Sequence, residues 1–378
     1  MIQDPEVLCS DGATESQRLE FKRSLPGRSD RDRHEFLKDV CAFANTEGGV
    51  IYFGIDEKDG AAESLSPTTD EPFEAASRRL AQILDSGVEP RLASVRFKQF
   101  SKAGGHVLAL EVSRSFNGPH RLLHNNHSKF VLRNNTHVVE HTFDQLRSAF
   151  DQRGSLVSQA RTVWEEGWRK AASRQTWRPI VPGPIAMAQI TPLASIRAPQ
   201  PVDIQKIYAD YARFMLSDWG GASRAFNLDG VVVHRGDDRT EISQLVQVHR
   251  SGVMQAYRSA AAHFDEKIIP SQSIAEFFRE VIPTFAKAAI DYGVGGPFVL
   301  NCALLDTTDY RFAIDDRYFF LSPSYSDRAN LILPEVIFDD PEQAKSEPFI
   351  RSVLDILWQG FGLPTCTYYN SEGQWIAR

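Results

Sequence analysis

The sequence predicts an α/β protein of the α+β kind, built from two domains. Helix-like and strand-like segments are mixed along the whole chain, so we expect mixed sheets with flanking helices. The chain has 378 residues, which is the length of about two domains. Hydrophobic residues make up 42% of it and charged residues 24%, an ordinary globular composition that excludes a wholly disordered protein.

The N-terminal domain is predicted to combine a mixed sheet with helices. Its elements are predicted as strands at 19–22, 50–55, 93–100, 106–112 and 129–133, and helices at 30–44, 73–84 and 142–150. In the first of these helices, Phe36, Val40 and Phe43 share one face. The glycine pair that follows is a helix stop signal. The run at 50–55 is mostly apolar, which is typical of a buried strand.

The C-terminal half is predicted to be a second α+β domain. Ser251-Gly252 separates two strand-like runs and indicates a hairpin. Pro283 is expected to kink the helix that contains it. The predicted elements are strands at 245–250, 253–258, 296–305, 310–314 and 317–321, and helices at 202–216, 274–292 and 349–360.

The domain boundaries follow from composition. Seven of the ten histidines lie before residue 151. Three prolines between residues 179 and 184 interrupt regular structure. We therefore place the N-terminal domain at residues 1–150, a helical linker at 151–185 and the C-terminal domain at 186–378.

The cysteine content and the apolar runs indicate a cytoplasmic protein without a membrane partner. The four cysteines are far apart and form no CxxC pair, so we expect neither a zinc knuckle nor a disulfide framework. The N-terminus has no leader-like pattern, and no apolar run reaches the roughly 18 residues of a membrane helix. The net charge of −7 excludes a uniformly basic coat for nucleic acid, but not a local basic surface.

The segment from Glu15 to Lys22 is the first candidate for chemistry. In an extended strand, Glu20 and Lys22 share one face, opposite the apolar residues. Asp56 follows a buried strand, so it could join Glu15 and Glu20 in a cluster of three carboxylates. Such clusters suit Mg²⁺ or Mn²⁺, and these ions support phosphodiester hydrolysis. The alternative is that the three carboxylates are solvated.

Basic residues are concentrated around this acidic motif and in one later interval. Between Glu111 and Glu140 the sequence has no acidic residue. Residues 1–150 carry 19 basic and 22 acidic residues, so a binding surface for RNA phosphate must be local. For either cluster alone, the alternative is a solvated loop. The candidate contacts are Arg18, Arg23, Arg28, Arg31, Arg33, Arg121, Lys129 and Arg133.

Three further patterns in the N-terminal domain bear on phosphate or metal binding. His120, His124 and His127 form an HxxxHxxH pattern without a zinc-protease motif, so we expect them to contact phosphate or to be solvated. The Asn45–Gly49 turn could approach a phosphate or could end a helix, and we favour the helix end. The sequence contains no GxxxxGK[ST] motif, so P-loop nucleotide binding is not expected.

Six short stretches occur in a fixed order along the chain: Glu15-Ser16, Leu19–Lys22, Cys41–Gly49, Phe53–Asp56, Pro119 and Phe130–Arg133. Together they resemble the Schlafen AlbA-type domain over about residues 10–150. Arg133 begins Arg-Asn-Asn-Thr where the family has Arg-x-Gly-Ser, and asparagine tolerates the left-handed conformation. The combination of LEFK with AFANTEGG is the most specific part of the resemblance.

The resemblance implies a function for these residues. In nuclease members of the Schlafen family, three acidic residues bind a divalent ion and cleave RNA, notably transfer RNA. By motif position they resemble Glu15, Glu20 and Asp56, with Lys22 at the scissile phosphate. The resemblance also implies Mg²⁺ or Mn²⁺ as cofactor and a role in bacterial stress or phage defence. Vertebrate Schlafen cores have two lobes, so a single lobe implies a homodimer or a wall supplied by the C-terminal half.

We therefore expect a metal-dependent endoribonuclease that cleaves structured RNA, with tRNA as the favoured substrate. Two alternatives stay open. The first is a nucleic-acid-binding regulator without catalysis. The second is a sensor or interaction protein dominated by residues 155–378.

Overall fold

In the computed structural model the chain divides into two compact units, Met1–Ser155 and Leu156–Arg378. Both units mix helices and sheets, so the predicted α+β class is confirmed. The structure describes residues 2–92, 95–115, 117–124, 127–197, 202–216, 221–236, 241–260, 267–294, 296–313 and 325–377.

The first unit contains ten strands, three complete helices and the start of a fourth, among its described residues. The helices are α1 (Pro5–Ser10), α2 (Asp30–Asn45), α3 (Phe73–Gly87) and α4 (Phe143–Ala172). The strands are β1 (Leu19–Lys22), β2 (Gly49–Phe53), β3 (Ile55–Lys58), β4 (Ala61–Leu65), β5 (Val88–Glu89), β6 (Val95–Lys102), β7 (Gly105–Val112), β8 (Arg121–His124), β9 (His127–Asn134) and β10 (His137–Glu140).

Two four-stranded sheets and a hairpin organise this unit. One sheet has the order β1-β2-β7-β6, with β1 parallel to β2, and the other has the order β10-β9-β8-β5. β3 pairs with β4. The apolar face of α2, with Phe36, Val40 and Phe43, is buried against residues of both sheets and of α3. Burial of each such side chain contributes about 1.5–3 kcal/mol to stability. The packing of α2 therefore holds the residues at both of its ends in place.

Gly54 splits the strand that was predicted at residues 50–55. Its φ of +106° is unfavourable for a residue with a side chain, and a Cβ there would lie 3.2 Å from the carbonyl oxygen of Ser66. β2 therefore ends at Phe53, and Asp56 lies in the β3–β4 hairpin. The prediction that Asp56 directly follows the buried central strand is wrong for this reason.

The second unit contains the rest of α4 and ten further strands among the described residues. Its helices are α5 (Leu193–Arg197), α6 (Ile204–Ala209), α7 (Ser271–Asp291) and α8 (Glu347–Gln359), with 3₁₀ turns at Tyr211–Phe214 and Gln343–Lys345. Its strands are β11 (Ile185–Pro192), β12 (Ser223–Phe226), β13 (Gly230–Gly236), β14 (Ile242–His249), β15 (Met254–Ser259), β16 (Ile268–Pro270), β17 (Phe298–Leu305), β18 (Arg311–Ala313), β19 (Leu331–Ile332) and β20 (Val336–Phe338).

An eight-stranded sheet forms the centre of the second unit. Its order is β12-β13-β14-β15-β11-β17-β19, and β20 also pairs with β17. The turn at Ser251-Gly252 joins β14 to its antiparallel neighbour β15, so the predicted hairpin is confirmed. One large core packs α7 and α8 against the sheet, and a smaller core contains Trp164 of α4. α7 continues through Pro283 as one helix.

Two predicted helices have different lengths in the structure. α4 was predicted to end at Phe150, but it continues through Gly154 to Ala172. The packing of Trp164 and Ala171 outweighs the roughly 1 kcal/mol cost of a glycine in a helix. The helix predicted at 202–216 ends at Ala209, because Asp210 instead accepts a hydrogen bond from the Tyr292 hydroxyl and begins a 3₁₀ turn.

The predicted strand at 317–321 lies outside the described residues. None of the described helices is long and apolar enough to cross a membrane.

Candidate functional site

Glu20 lies in a buried ion cluster beside β1. Its side chain is held by two cations, and the residue is only 7% exposed. One carboxylate oxygen accepts a hydrogen bond from Lys22 Nζ at 2.6 Å, and the other accepts one from Arg133 Nη2. Buried charges of this kind need such partners. Glu20 is therefore a structural contact of Arg133 as well as a member of the predicted site.

Asp39 is the member of this cluster that the sequence did not reveal. It lies on α2, is 7% exposed, and places Oδ2 3.4 Å from Lys22 Nζ. Burial raises the pKa of Asp39, the charge of Lys22 opposes the rise, and the charge of Glu20 adds to it. The only available signal was a lone carboxylate within the buried run of α2, between Leu37 and Val40.

Lys22 is held in its charged form by these two carboxylates. Burial lowers the pKa of Lys22, but the attraction of Asp39 and the contacts with Glu20 outweigh it and leave the pKa raised. The Lys22 side chain is still 40% exposed. The cluster thus presents an ammonium group that is anchored on one side and open to solvent on the other.

Glu15 is a half-buried carboxyl group beside the same cluster. Its Oε1 accepts a hydrogen bond from the backbone N–H of Phe21 at 3.0 Å. Burial raises the pKa of Glu15, the Phe21 hydrogen bond opposes the rise, and the charges of Glu20 and Glu57 add to it. Glu15 and Glu20 are therefore brought within electrostatic reach of each other, as the sequence predicts.

Asp56 is not part of this cluster. Its Oδ1 lies 3.3 Å from Arg23 Nε in a largely exposed ion pair. Within the described ranges, no group of three His, Cys, Asp or Glu side chains is placed to hold a metal ion. The oxygen donors are chemically suitable for Mg²⁺ or Mn²⁺, but Glu20 is already held by two cations. The arrangement does not fit a resident divalent ion, and we assign no chemical step to one.

Arg133 is buried, which corrects its predicted place on a phosphate-binding surface. The residue is 1% exposed, and its guanidinium lies over the Phe43 ring with Cζ 4.5 Å from the centroid. Its Nε donates a hydrogen bond to the carbonyl oxygen of Ser16 at 3.1 Å. The ion pair with Glu20 completes this environment. Arg133 therefore joins β9 to β1 and α2 inside the unit.

The other predicted RNA contacts are on the surface, and several already have acidic partners. Three exposed arginines lie at the start of α2 and in the turn before it: Arg28, Arg31 and Arg33. The other four predicted contacts each form an ion pair: Arg18–Glu47 at 2.8 Å, Arg23–Asp56 at 3.3 Å, Arg121–Glu89 at 2.5 Å and Lys129–Glu140 at 2.5 Å. The 28–33 segment is thus the most direct candidate for a phosphate contact.

The Asn45–Gly49 turn closes α2, so its interpretation as a helix end is confirmed. Gly48 has a φ of +72°, and its N–H donates to the Phe43 carbonyl at 2.9 Å. The Asn45 side chain donates to the carbonyls of His120 and Val131 and accepts the His120 N–H at 2.7 Å. The motif therefore has a structural role, because it joins α2 to β9.

His120 does not contact phosphate in this fold. Its ring is fully buried, with Nδ1 2.5 Å from the Pro90 carbonyl oxygen and Nε2 2.6 Å from Ser115 Oγ. The carbonyl can only accept, so Nδ1 carries a proton and donates a hydrogen bond to Pro90. The side chains of His124 and His127 lie outside the described residues.

Comparison with known proteins places this unit in a family. The family model described as Schlafen, AlbA_2 matches residues 15–142. About a third of the chain, residues 15–142, thus matches the Schlafen AlbA_2 family. The matched range includes Glu15, Glu20, Lys22, Asp39 and Asp56, so the Schlafen AlbA_2 domain contains the whole candidate site.

Two solved structures are similar to part of the chain. The DIP2311 protein from Corynebacterium diphtheriae is 17% identical, with a TM-score of 0.26 over 36% of this chain and 25% of that protein. The N-terminal domain of a RecG-related protein from Nitrosomonas europaea is 17% identical, with a TM-score of 0.28 over 37% of this chain and 97% of that domain. No curated protein matches the chain. The chain thus spans about a quarter of the Corynebacterium protein.

Proposed function

We propose that the Schlafen AlbA_2 unit is an endoribonuclease, with structured RNA as its substrate and tRNA as the favoured one. One observation carries the proposal: the matched range contains a half-buried glutamate, Glu15, beside a partly exposed lysine, Lys22, whose charge is secured by two carboxylates. The exposed arginines of the 28–33 segment support it, since RNA binding draws on basic surface residues.

The chemistry follows from the two open groups. A carboxylate whose pKa is raised accepts a proton more readily at neutral pH than an ordinary one does. Glu15 would take the proton of the attacking hydroxyl as the new P–O bond forms, because burial and its acidic neighbours raise its pKa. The departing ribose oxygen would take a proton from solvent as its own P–O bond breaks. Lys22 would face the phosphate and stabilise its developing negative charge. Glu20 and Asp39 would hold Lys22 in place and charged.

The test is incubation of the purified full-length protein with total tRNA, with Mn²⁺, with Mg²⁺ and with EDTA. We expect discrete fragments from the wild type and at least a hundredfold slower cleavage by Glu15→Gln, within the range for loss of a general base. Glutamine can still accept the Phe21 N–H, so the fold is preserved. Glu63→Gln, an exposed substitution on β4, is the matched control. Full activity of Glu15→Gln would remove Glu15 from the mechanism.

The same experiment decides the ion and the attacking group. Fragments that disappear with EDTA would show a requirement for a divalent ion. Such a result would contradict the inference that the arrangement around Glu20 does not fit a resident divalent ion. Cyclic phosphate ends would show attack by the 2′-hydroxyl, and a 5′-phosphate would show attack by water. Sedimentation of the same preparation tests whether a second copy completes the single lobe.

The second candidate is a nucleic-acid-binding regulator without catalysis. The pairing of both Glu20 oxygens with cations favours it, because this pairing gives Glu20 a structural role in place of the predicted catalytic one. Binding of tRNA with no fragments in any metal condition would support this function. If neither binding nor fragments are seen, the interaction or sensor role of residues 155–378 becomes the better proposal.

A further inference from the structure

The edge of the large sheet in the second unit carries an ordered stack of aromatic and cationic side chains. The Phe226 and Tyr208 rings are parallel within 12°, with centroids 4.2 Å apart. Arg224 Cζ lies 4.7 Å from the Tyr208 centroid and 4.0 Å from the Tyr211 centroid. The four groups thus follow one another as phenylalanine, tyrosine, arginine and tyrosine. We call these four residues the edge stack.

The end of the edge stack is open to solvent. Phe226 is 43% exposed although one face of its ring is covered by Tyr208, and Leu228, two residues further on, is 90% exposed. Arg224 is exposed as well. It lies two residues before Phe226 on β12, so both side chains are on the same face of the strand. Tyr208 lies between the two in the stack, so the open face of Phe226 and the exposed guanidinium of Arg224 are separate contact points on one surface.

The charge around the edge stack suits a phosphate. Two aspartates lie nearby, and Arg213 pairs with both, at 3.1 Å from Asp210 and 2.7 Å from Asp291, so it offsets one of their two charges. Lys206 of α6 adds a further exposed cation on this side of the unit, over the Tyr292 ring. Arg224 makes no ion pair with any described residue, so its charge remains available to an anionic ligand.

We propose that the edge stack binds unpaired nucleotides of an RNA strand, with a base on the open face of Phe226 and a phosphate against Arg224. Every base has a π face, and stacking on aromatic side chains with a contribution from arginine is how single strands are held without sequence preference. The stack is formed before the ligand arrives, so little side-chain ordering opposes binding. The proposal goes beyond the one for the first unit and shares with it only the choice of RNA.

Fluorescence anisotropy of the full-length protein with a labelled 2′-O-methyl oligouridine tests this surface. The 2′-O-methyl groups protect the probe from attack by its own 2′-oxygens. About ten nucleotides suffice, since single-strand sites span about 4–16. An RNA duplex of equal length is the second probe, because its base faces are hidden. We expect the wild type to bind the unpaired probe at least fivefold more tightly than the duplex.

Two variants and one control isolate the stacking. Phe226→Ala should weaken binding of the unpaired probe about tenfold, which corresponds to about 1.4 kcal/mol. Arg224→Lys keeps the charge and leaves Phe226 in place, and it should weaken binding about threefold because lysine cannot stack as a plane. Tyr325→Ala removes an aromatic ring that is 59% exposed elsewhere in the unit, and it should change binding less than twofold.

The outcomes separate this surface from the proposed nuclease. Equal affinities of Phe226→Ala, Arg224→Lys and Tyr325→Ala would overturn the role of the edge stack, as would a wild type that binds no unpaired probe or prefers the duplex. Such a result leaves the nuclease standing if tRNA is still cleaved. Conversely, weakened binding by Phe226→Ala and Arg224→Lys without any tRNA cleavage supports the edge stack and rejects the nuclease.

Discussion

Substitution of Arg133 by alanine should destabilise the first unit severely, because this residue is buried between β1, α2 and β9. The substitution removes the guanidinium from the Phe43 ring and from the Ser16 carbonyl. It also leaves the Glu20 carboxylate, 7% exposed, with Lys22 as its remaining cation. The effect therefore combines lost packing with an under-compensated buried charge.

The expected loss is about 3–5 kcal/mol, the usual cost of removing one partner of a buried ion pair. With an m-value of about 2 kcal/mol/M in urea, this loss lowers the unfolding midpoint by about 1.5–2.5 M. Arg133→Lys should lose less, since it keeps the charge but not the planar fork of donors. Arg33→Ala, which changes an exposed arginine on α2, should stay within about 0.5 kcal/mol of the wild type.

The placement of tryptophans makes the measurement specific for one unit. All six tryptophans follow residue 155, so tryptophan fluorescence reports the second unit, whereas far-ultraviolet circular dichroism reports both. We expect Arg133→Ala to lower the unfolding midpoint of the first unit. This change should appear in the dichroism transition and not in the fluorescence transition. A loss of stability below about 1 kcal/mol together with weaker RNA binding would refute the buried cluster. It would support the predicted position of Arg133 on the phosphate-binding surface.

Two further predictions concern Glu15, which precedes β1, and Asn45, the last residue of α2. Protonation of Glu15 is easier in the folded state because its pKa is raised. The wild type should therefore gain stability relative to Glu15→Gln as the pH falls from 7 through the folded pKa to the unfolded pKa. Urea titrations of both proteins across that pH range measure this gain. A stability difference that does not change with pH would contradict the prediction. Asn45→Ala should cost about 2–4 kcal/mol, because it strands the backbone groups of His120 and the carbonyl of Val131. Asn370→Ala, at an exposed turn of the second unit, is the control in the same dichroism assay, and an Asn45→Ala loss as small as the control's would show that the motif does not join α2 to β9.

The parts of the fold that the sequence predicts well are those set by local pattern. β1 was predicted at Leu19–Lys22 and α2 at residues 30–44, and both were found there with at most one residue of difference. The alternation in β1 and the helical periodicity of α2 are properties of neighbouring residues. The order of the motifs likewise indicated the Schlafen AlbA_2 domain before any contact was known.

The errors arise where distant contacts override local pattern. α4 passes through Gly154 because its second half packs on the sheet of the second unit. Gly54 has a positive φ, which the apolar run at residues 50–55 does not predict. The strand therefore ends before Gly54, and Asp56 lies in the following hairpin. In each case the deciding interaction joins residues that are far apart in sequence or depends on backbone geometry.

The candidate site shows the same division. The sequence by itself determined the chemistry that is present: Glu20 and Lys22 on one strand and Glu15 shortly before it, in a region that matches the Schlafen AlbA_2 family. Only the tertiary structure decided which charges meet. Asp39 reaches Lys22 from α2, and Arg133 reaches Glu20 across 113 positions of sequence. A charge costs free energy to bury unless its partner is buried with it, so the partner is selected by the packing of whole elements and not by any local pattern.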